Sequence, residues 1–595
     1  MPPPSPNPDL SERDPLLVPR PASVDLDRSR RHRPGAFPIV TRDAALPQGG
    51  YRLTITPDRV LIQSADESGE RSANATMHQL ARQYGADFPV GRIEDAPALA
   101  TRGVMLDVSR CRIPTMPEFE RIVDQFAALK LNHLQCYTEH AFAYPFAEPV
   151  WRGCDPITPD EARTLDELCA RRGILLAPNQ NCFGHLTRWL EHPDYAHLAE
   201  THATWDFLGM PRTGPFSLCP TDPASLNFVR QMLDELLPCF GSTLVNIGCD
   251  ETHDVGQGRS ADAVKAHGRG EVYRRFVSEV CRHVLESGRT PMVWGDIAVE
   301  HPEVVRGVGG IGGVVGGAEG TVGLCWGYEP SSDFAGMSHA WRAAGHDWWA
   351  CPGTSSWRSF TGRTSERIAN IRRAAREATA HGASGLLVTD WGDLGHHQVW
   401  PIALLGIAEA ADAAWTGTDR HDTFLEAVSL QVFGDDSLRI AGWLDALGDA
   451  DEPIRAVAGV RTDPGTPARL ANAGALFTEL HTPPAPFHLP ASSEAWLEVA
   501  ARLERLASDT PSAESGIDAL VARECRHACD QATFAACVAA TRRGWDGGGG
   551  ATGGTVNQRE RLESIIDEHR SLWLERSRAG GLDESCAYWR EVMHA

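Results

Sequence analysis

No run in this 595-residue chain approaches the ~20 consecutive apolar residues of a membrane span. The first twenty residues, MPPPSPNPDLSERDPLLVPR, lack a basic stretch followed by an apolar one, so no export signal is expected. Cysteine occurs fifteen times, an odd number, without a single CxxC pair. That pattern fits reduced thiols in a cytoplasm better than a disulfide framework. Cys525 and Cys529 flank His527 at helical spacing and read as a buried helix face rather than zinc ligands. Positive charge is short: 56 Lys and Arg face 79 Asp and Glu, a net charge of −23. Such a surface repels phosphate backbones, so neither nucleic acid nor a membrane is an expected partner. A phosphate loop is missing too. Gly307, Gly309 and Gly312 formally match GxGxxG, but they lie between a helix and a strand, with no GK[ST], and read as a loop.

What is present is a soluble globular composition, 42% apolar and 23% charged, in a chain long enough for three or four domains. Residues 1–35 are rich in Pro, Arg, Asp and Ser and read as a disordered tail. Residues 36–100 suggest a small α+β domain. YRLTITPDRVLIQ (51–63) alternates around a Pro-Asp turn as a hairpin does, and Ala75, Met77, Leu80 and Ala81 mark one face of a helix. From Arg102 apolar runs alternate with helical patterns: GVMLDVSR, LNHLQCYTEH, GILLAPNQN, TLVNIGCDE, TPMVWGD, TVGLCWGY, HDWWACPG and SGLLVTDWGD. Eight such alternations across 101–418 predict a (β/α)8 TIM barrel of the α/β class. A doubly wound open sheet is the structural alternative, but nothing marks its nucleotide crevice. Residues 419–595 read as a helical C-terminal domain. Within it Leu562, Ile565, His569, Leu572 and Trp573 share one helix face, and the glycine run Gly547–Gly554 reads as a mobile connection.

Asp250 and Glu251 stand side by side at the end of the fourth run. Adjacent carboxylates repel, and burying them raises at least one pKa, a cost usually tolerated where chemistry uses it. A pair of solvated acids at a helix start is the bland alternative. In a TIM barrel the active site lies at the C-terminal ends of the strands. Those ends collect Arg110, His140, His185, Asn246, Trp326, Tyr328, Trp357, Trp391 and Asp393 as candidate substrate-binding residues. Indole faces suit the C–H faces of a pyranose.

With its small α+β domain, RGVMLDVSR, NIGCDE and a terminal W-G-D, the chain resembles glycoside hydrolase family 20, the β-N-acetylhexosaminidases, over roughly residues 50 to 415. The resemblance implies that Glu251 is the general acid/base and that Asp250 orients the substrate acetamide. It implies that Arg110 holds sugar hydroxyls, that His185 in CFGH is the histidine after strand three, and that Trp391 and Asp393 close the sugar pocket. It implies exo-acting removal of terminal β-linked N-acetylhexosamine by substrate-assisted retaining catalysis, with no cofactor and no metal. Three features differ from the family pattern. Asn179 and Asn181 stand where strand three usually carries acidic residues, strand two ends in YTEH, and strand seven offers Trp348 and Trp349 but no tyrosine; Tyr328 follows strand six. Two other readings are a metal-dependent amidohydrolase-type barrel using His140, His185, Asp250 and His396, and a catalytically silent carbohydrate-binding barrel. The first usually needs an HxH pair at strand one, where this chain has LDVSR.

Overall fold

A computed structural model describes residues 8–33, 38–110, 112–307, 320–458, 470–481, 488–544 and 558–591. The first domain is a five-stranded sheet of β1 (Ser23–Arg31), β2 (Ile39–Arg42), β3 (Tyr51–Ile55), β4 (Val60–Ser64) and β5 (Pro89–Asp95), in the order β1-β5-β3-β4-β2. Strands β3 and β4 alternate buried and half-buried positions, the period-two pattern of a sheet with one covered face. The cover is the helix Glu67–Tyr84, capped by Asp66, which presses Ala73, Leu80 and Tyr84 onto Leu53, Ile62 and Ile93.

The expectation of a disordered tail over residues 1–35 is overturned for residues 8–33, the part of it that is described. β1 pairs antiparallel with β5, and Leu10, Leu16, Leu17 and Val18 are buried. The backbone N–H groups of Leu16 and Val18 donate to the side-chain oxygens of Gln83 and Gln79 at 2.8 and 2.9 Å. Composition averaged over this stretch hides four apolar residues that reach the core. β1 itself, SVDLDRSRR, lies largely exposed and carries little alternation for sequence reasoning to detect.

The barrel strands are β6 (Thr101–Asp107), β7 (His133–Thr138) and β8 (Leu175–Gln180), followed by an inserted hairpin, β9 (Thr204–Phe207) and β10 (Met210–Thr213). Then come β11 (Leu244–Asn246), β12 (Thr290–Trp294), β13 (Val322–Trp326), β14 (Asp347–Cys351) and β15 (Gly385–Asp390). Each of the eight barrel strands coincides with one of the eight apolar runs, β6 beginning two residues before its run. All barrel pairings are parallel, and β15 joins β6 from Gly385 opposite Thr101 to Asp390 opposite Leu106, closing the barrel. Parallel strands covered on both faces read as continuous apolar runs, which is why these were legible. The helix Pro159–Arg172 shows how local signals set its ends: a capping box of Thr158 and Glu161 starts it, and Gly173 at φ 75° stops it. A buried Lys130–Asp95 ion pair of 2.9 Å, also bonded by Tyr51 and the Trp415 indole, joins the first domain to the barrel floor.

Helices from Phe424–Gln431 to Leu582–Glu591 form the C-terminal part. The helix Gln558–Arg576 buries Leu562, Ile565, His569, Leu572 and Trp573, the face read from the sequence. Arg576 bonds Glu524 through two nitrogens and Glu118 of a barrel helix through a third. Cys525, His527 and Cys529 are all buried on the helix Ala519–Thr541. The glycine run Gly547–Gly554, and Gly309 and Gly312 of the GxGxxG match, lie outside the described residues.

Four histidines meet where the last barrel loop docks on these helices. The His397 ring lies 5.7 Å from His481 and 5.5 Å from His569, and His569 lies 5.9 Å from His527. Neither ring nitrogen of His527 has a hydrogen-bond partner among the described residues. Burial holds all four neutral, with His397 lowered to about 4 and His527 to about 3. The unfolded chain therefore binds more protons below ~6.5, and stability falls as pH falls from there toward the folded values. The limit is about 1.4 kcal/mol per pH unit per histidine. Urea midpoints are expected to drop between pH 7 and pH 5.5, and His527→Leu is expected to flatten that slope. Equal slopes in both proteins would show that the cluster does not set acid stability.

Candidate active site

β11 ends at Asn246, and three of the next five residues, the second acid among them, adopt left-handed conformations. Gly248 has φ 67°, Cys249 φ 76° and Glu251 φ 50°. Positive φ at non-glycine residues stores strain that surrounding bonds must hold. The Asn181 side-chain oxygen accepts from the Cys249 N–H at 3.1 Å, the Tyr273 hydroxyl donates to the Cys249 carbonyl at 2.9 Å, and Asp296 accepts from the Glu251 N–H at 2.9 Å. Gly184 passes close enough that a Cβ there would stand 2.6 Å from the Asp250 carbonyl. The turn aims two successive side chains into one space, which a straight strand, alternating faces, would not do.

The two acids have different surroundings. Asp250 is buried and accepts from the Asn181 amide at 2.8 Å, and its other oxygen lies 3.2 Å from His185 Nε2. Burial pushes its pKa up, but His185 and the Asn181 bond outweigh this, so Asp250 stays ionised, below the usual range. Glu251 is partly exposed and lies 3.5 Å from the same His185 nitrogen. Burial raises its pKa, His185 opposes this, and the neighbouring Asp250 charge adds to the rise. His185 itself loses by burial but gains more from Asp250 and Glu251, and is raised to about 9. Asp296, half-buried beneath the turn, is pushed up to about 8 by burial and by Asp250.

Across the mouth, Arg110 lies 3.3 Å from Asp107, 3.1 Å from Glu139 and 3.6 Å from Asp393. Its guanidinium lies 4.9 Å from the Tyr137 ring and 5.1 Å from the Trp391 ring. Burial raises Asp107 to about 6 even with Arg110 beside it. An aromatic group completes the wall. Trp326 and Tyr328 stack at 5.3 Å, Trp357 meets Tyr328 edge-on at 5.1 Å, and the Trp391 indole donates to the Tyr328 hydroxyl at 2.8 Å. Trp294 lies 6.3 Å from Trp391. Rigid rings, one cation shared among carboxylates and two acids of opposite protonation tendency form a site for a neutral polar ring with an apolar face.

Of the residues expected from sequence, Asp250, Glu251, Arg110, His185, Trp391 and Asp393 lie together, with Trp326, Tyr328 and Trp357 grouped on the same wall. Two do not join them. His140 faces a separate cavity with Cys154, Arg188 and Glu584, and burial lowers it to about 4. Its neighbour Glu139, just past the end of β7, reaches Arg110 instead. Asn246 is wholly buried inside the barrel, donating to Gln135 at 2.9 Å and accepting from the Gly248 N–H at 2.9 Å, so it supports the turn from below. The arrangement that an amidohydrolase-type centre needs is also missing: His396 lines a cavity against the C-terminal helices, and among the described residues no group of three His, Cys, Asp or Glu is placed to hold a metal. Asp107, Tyr137, Glu139, Asn181, Trp294 and Asp296, which sequence reading finds at the strand ends without assigning them to the site, also lie in or beneath it. All sit at or just past a strand end, and that position is the signal that marks them.

Residues 100–308 match the catalytic domain of glycosyl hydrolase family 20, and residues 17–96 match domain 2 of the same family. A beta-hexosaminidase of Akkermansia muciniphila is 24% identical over 292 residues, covering 43% of this chain and 58% of that protein. A beta-hexosaminidase of Vibrio furnissii is 26% identical over 259 residues, 38% of this chain and 41% of that protein. The chain thus spans about half the length of these relatives. Among solved structures, the Flavobacterium johnsoniae chitobiase superposes with a TM-score of 0.56 at 15% identity, covering 94% of this chain and 99% of that one, a likeness of fold.

Proposed function

We propose, from the premise that this chain belongs to glycoside hydrolase family 20, that it removes terminal β-linked N-acetylhexosamine from glycosides. The observation that carries the proposal is the division of labour within Asp250 and Glu251: adjacent in sequence, one is held ionised and the other biased toward its protonated form. Glycosidases with two catalytic carboxylates place them across the scissile bond, ~5–5.5 Å apart for retention and ~6.5–9.5 Å for inversion. Neighbours that share one histidine suit a reaction in which the substrate supplies its own nucleophile.

In the first step the 2-acetamido oxygen forms a bond to the anomeric carbon as the bond to the aglycone breaks. Glu251 gives its proton to the departing oxygen. Asp250 accepts the acetamide N–H and balances the positive charge of the oxazolinium. In the second step Glu251 takes a proton from water, the water oxygen bonds to the anomeric carbon, and the ring opens to the acetamide. Two displacements retain the β configuration. Arg110, fixed by Asp107 and Glu139, presents guanidinium N–H groups to ring hydroxyls, and the aromatic wall holds the sugar and the acetamide methyl. Tyr328, its hydroxyl set by Trp391, offers the phenol that strand seven does not.

The test is a panel of aryl β-glycosides with and without the 2-acetamido group. The N-acetyl compounds are expected to be cleaved far faster than the matching glucosides. Equal rates on plain glucosides or 2-amino sugars would rule substrate assistance out. A cytoplasmic location is part of the proposal. The described cysteines are all free thiols, which a reducing compartment favours.

A further inference from the structure

The hairpin β9–β10 is an insertion that the barrel itself does not need. It is fastened to the loop just after Glu251. The Gln257 side chain accepts from the Asp206 N–H at 2.8 Å and donates to the carbonyls of Asp206 at 2.9 Å and His253 at 2.7 Å. The Phe207 ring meets His253 edge-on at 5.0 Å. Trp205, Phe207 and Phe216 form a small apolar cluster of their own, and Phe216 stands 4.7 Å from the His185 ring. The hairpin is therefore a shelf fastened to the loop that follows the acid pair and, through Phe216, to His185 beside it.

On that shelf the Arg212 guanidinium lies 3.6 Å from the centre of the Phe207 ring. It is exposed, and among the described residues no carboxylate lies within ion-pair distance of it. Arg110, by contrast, is shared among three carboxylates. Arg212 does act electrostatically on Glu251, lowering its pKa against the effect of burial. An acid/base residue must stand at the glycosidic oxygen, on the border between the sugar removed and the leaving group. Arg110 and the aromatic wall approach that border from β6 and from β12 to β15. The hairpin belongs to the long loop after β8, which also carries His185 to the pair. A cation pre-positioned on an aromatic face, in a chain of net charge −23, is suited to an anion.

We propose that the hairpin Thr204–Thr213 forms the leaving-group subsite, and that Arg212 selects glycosides whose leaving group carries an anionic substituent, a carboxylate or a sulfate. This rests on the hexosaminidase reading above. The test measures kcat/KM on two matched pairs of N-acetyl-β-glucosaminides. One pair has a uronic acid or its reduced, neutral counterpart as leaving sugar; the other has a sulfated or unsulfated sugar. Wild type is expected to favour the anionic member of at least one pair by roughly tenfold at low salt, as a charge-assisted contact would, and less at high salt. Which pair shows it identifies the anion. Arg212→Gln is expected to bring the ratio close to one, and Arg212→Lys to keep part of it. The basic limb of the pH profile of Arg212→Gln is expected to move upward on both members, because the charge that lowers the Glu251 pKa is gone; a merely structural role would not move it. Cleavage of both members at equal rates by wild type, or an unchanged ratio in Arg212→Gln, overturns the subsite while leaving the hexosaminidase reading intact. Failure to cleave these pairs and a simple aryl N-acetyl-β-glucosaminide as well would overturn both.

Discussion

Glu251→Gln is expected to lower kcat on sugar-linked substrates by on the order of 10²-fold or more, while aryl substrates with acidic leaving groups lose much less in the first step. The difference follows from the proton. A sugar alkoxide leaves only if it is protonated as the bond breaks, and Glu251 is the carboxyl whose pKa is raised by burial and by Asp250. An acidic phenol leaves without that help. The pH profile carries the same signature. Wild-type activity should fall on the alkaline side as pH rises through the Glu251 pKa, because the acid form is lost there. It should fall on the acid side as pH drops through the Asp250 pKa, which lies below the usual carboxylate range. The two limbs belong to the coupled pair. In Glu251→Gln the alkaline limb should vanish for activated substrates. Equal losses on both substrate classes, with the limb retained, would remove Glu251 from the acid role.

Asp250→Asn is expected to cost on the order of 10²–10³-fold in kcat, the range for removing one preorganised electrostatic group from a buried site. The substitution preserves shape, and the new amide oxygen still accepts from Asn181. What it removes is the negative charge that would face the oxazolinium. It also removes the first of the charges that raise His185 to about 9, so the His185 pKa should fall in the variant. A thiazoline analogue of the intermediate should accordingly inhibit wild type strongly and Asp250→Asn weakly. Comparable inhibition of both proteins would show that Asp250 does not support positive charge on the acetamide.

The parts of this protein visible in its sequence are those whose signals are local. Each barrel strand is buried on both faces and so reads as an apolar run, and the helices between carry caps such as Thr158 with Glu161 and stops such as Gly173. Adjacent Asp250 and Glu251 at a strand end, and tryptophans clustered at the ends of later strands, follow from the rule that a barrel's chemistry sits at one rim. Where local signals were weak, sequence reasoning failed. β1 is an exposed edge strand with no alternation to detect, and its neighbours Leu16, Leu17 and Val18 were hidden in a Pro- and Arg-rich stretch. The choice between Glu139 and His140 depended on which of two successive side chains faced Arg110, and only the path of the chain past the end of β7 in the folded barrel decides that. Asn246 heads the run NIGCDE, yet lies inside the barrel, because the strained turn at Gly248 and Cys249 separates it from the acids. Sequence alone determined the barrel, its acid pair and the chemical class of its rim. Tertiary structure decided how His185, Asn181 and Asp296, distant along the chain, divide two identical functional groups into one held ionised and one held ready to give a proton, because pKa values depend on burial and on charges brought near only by folding.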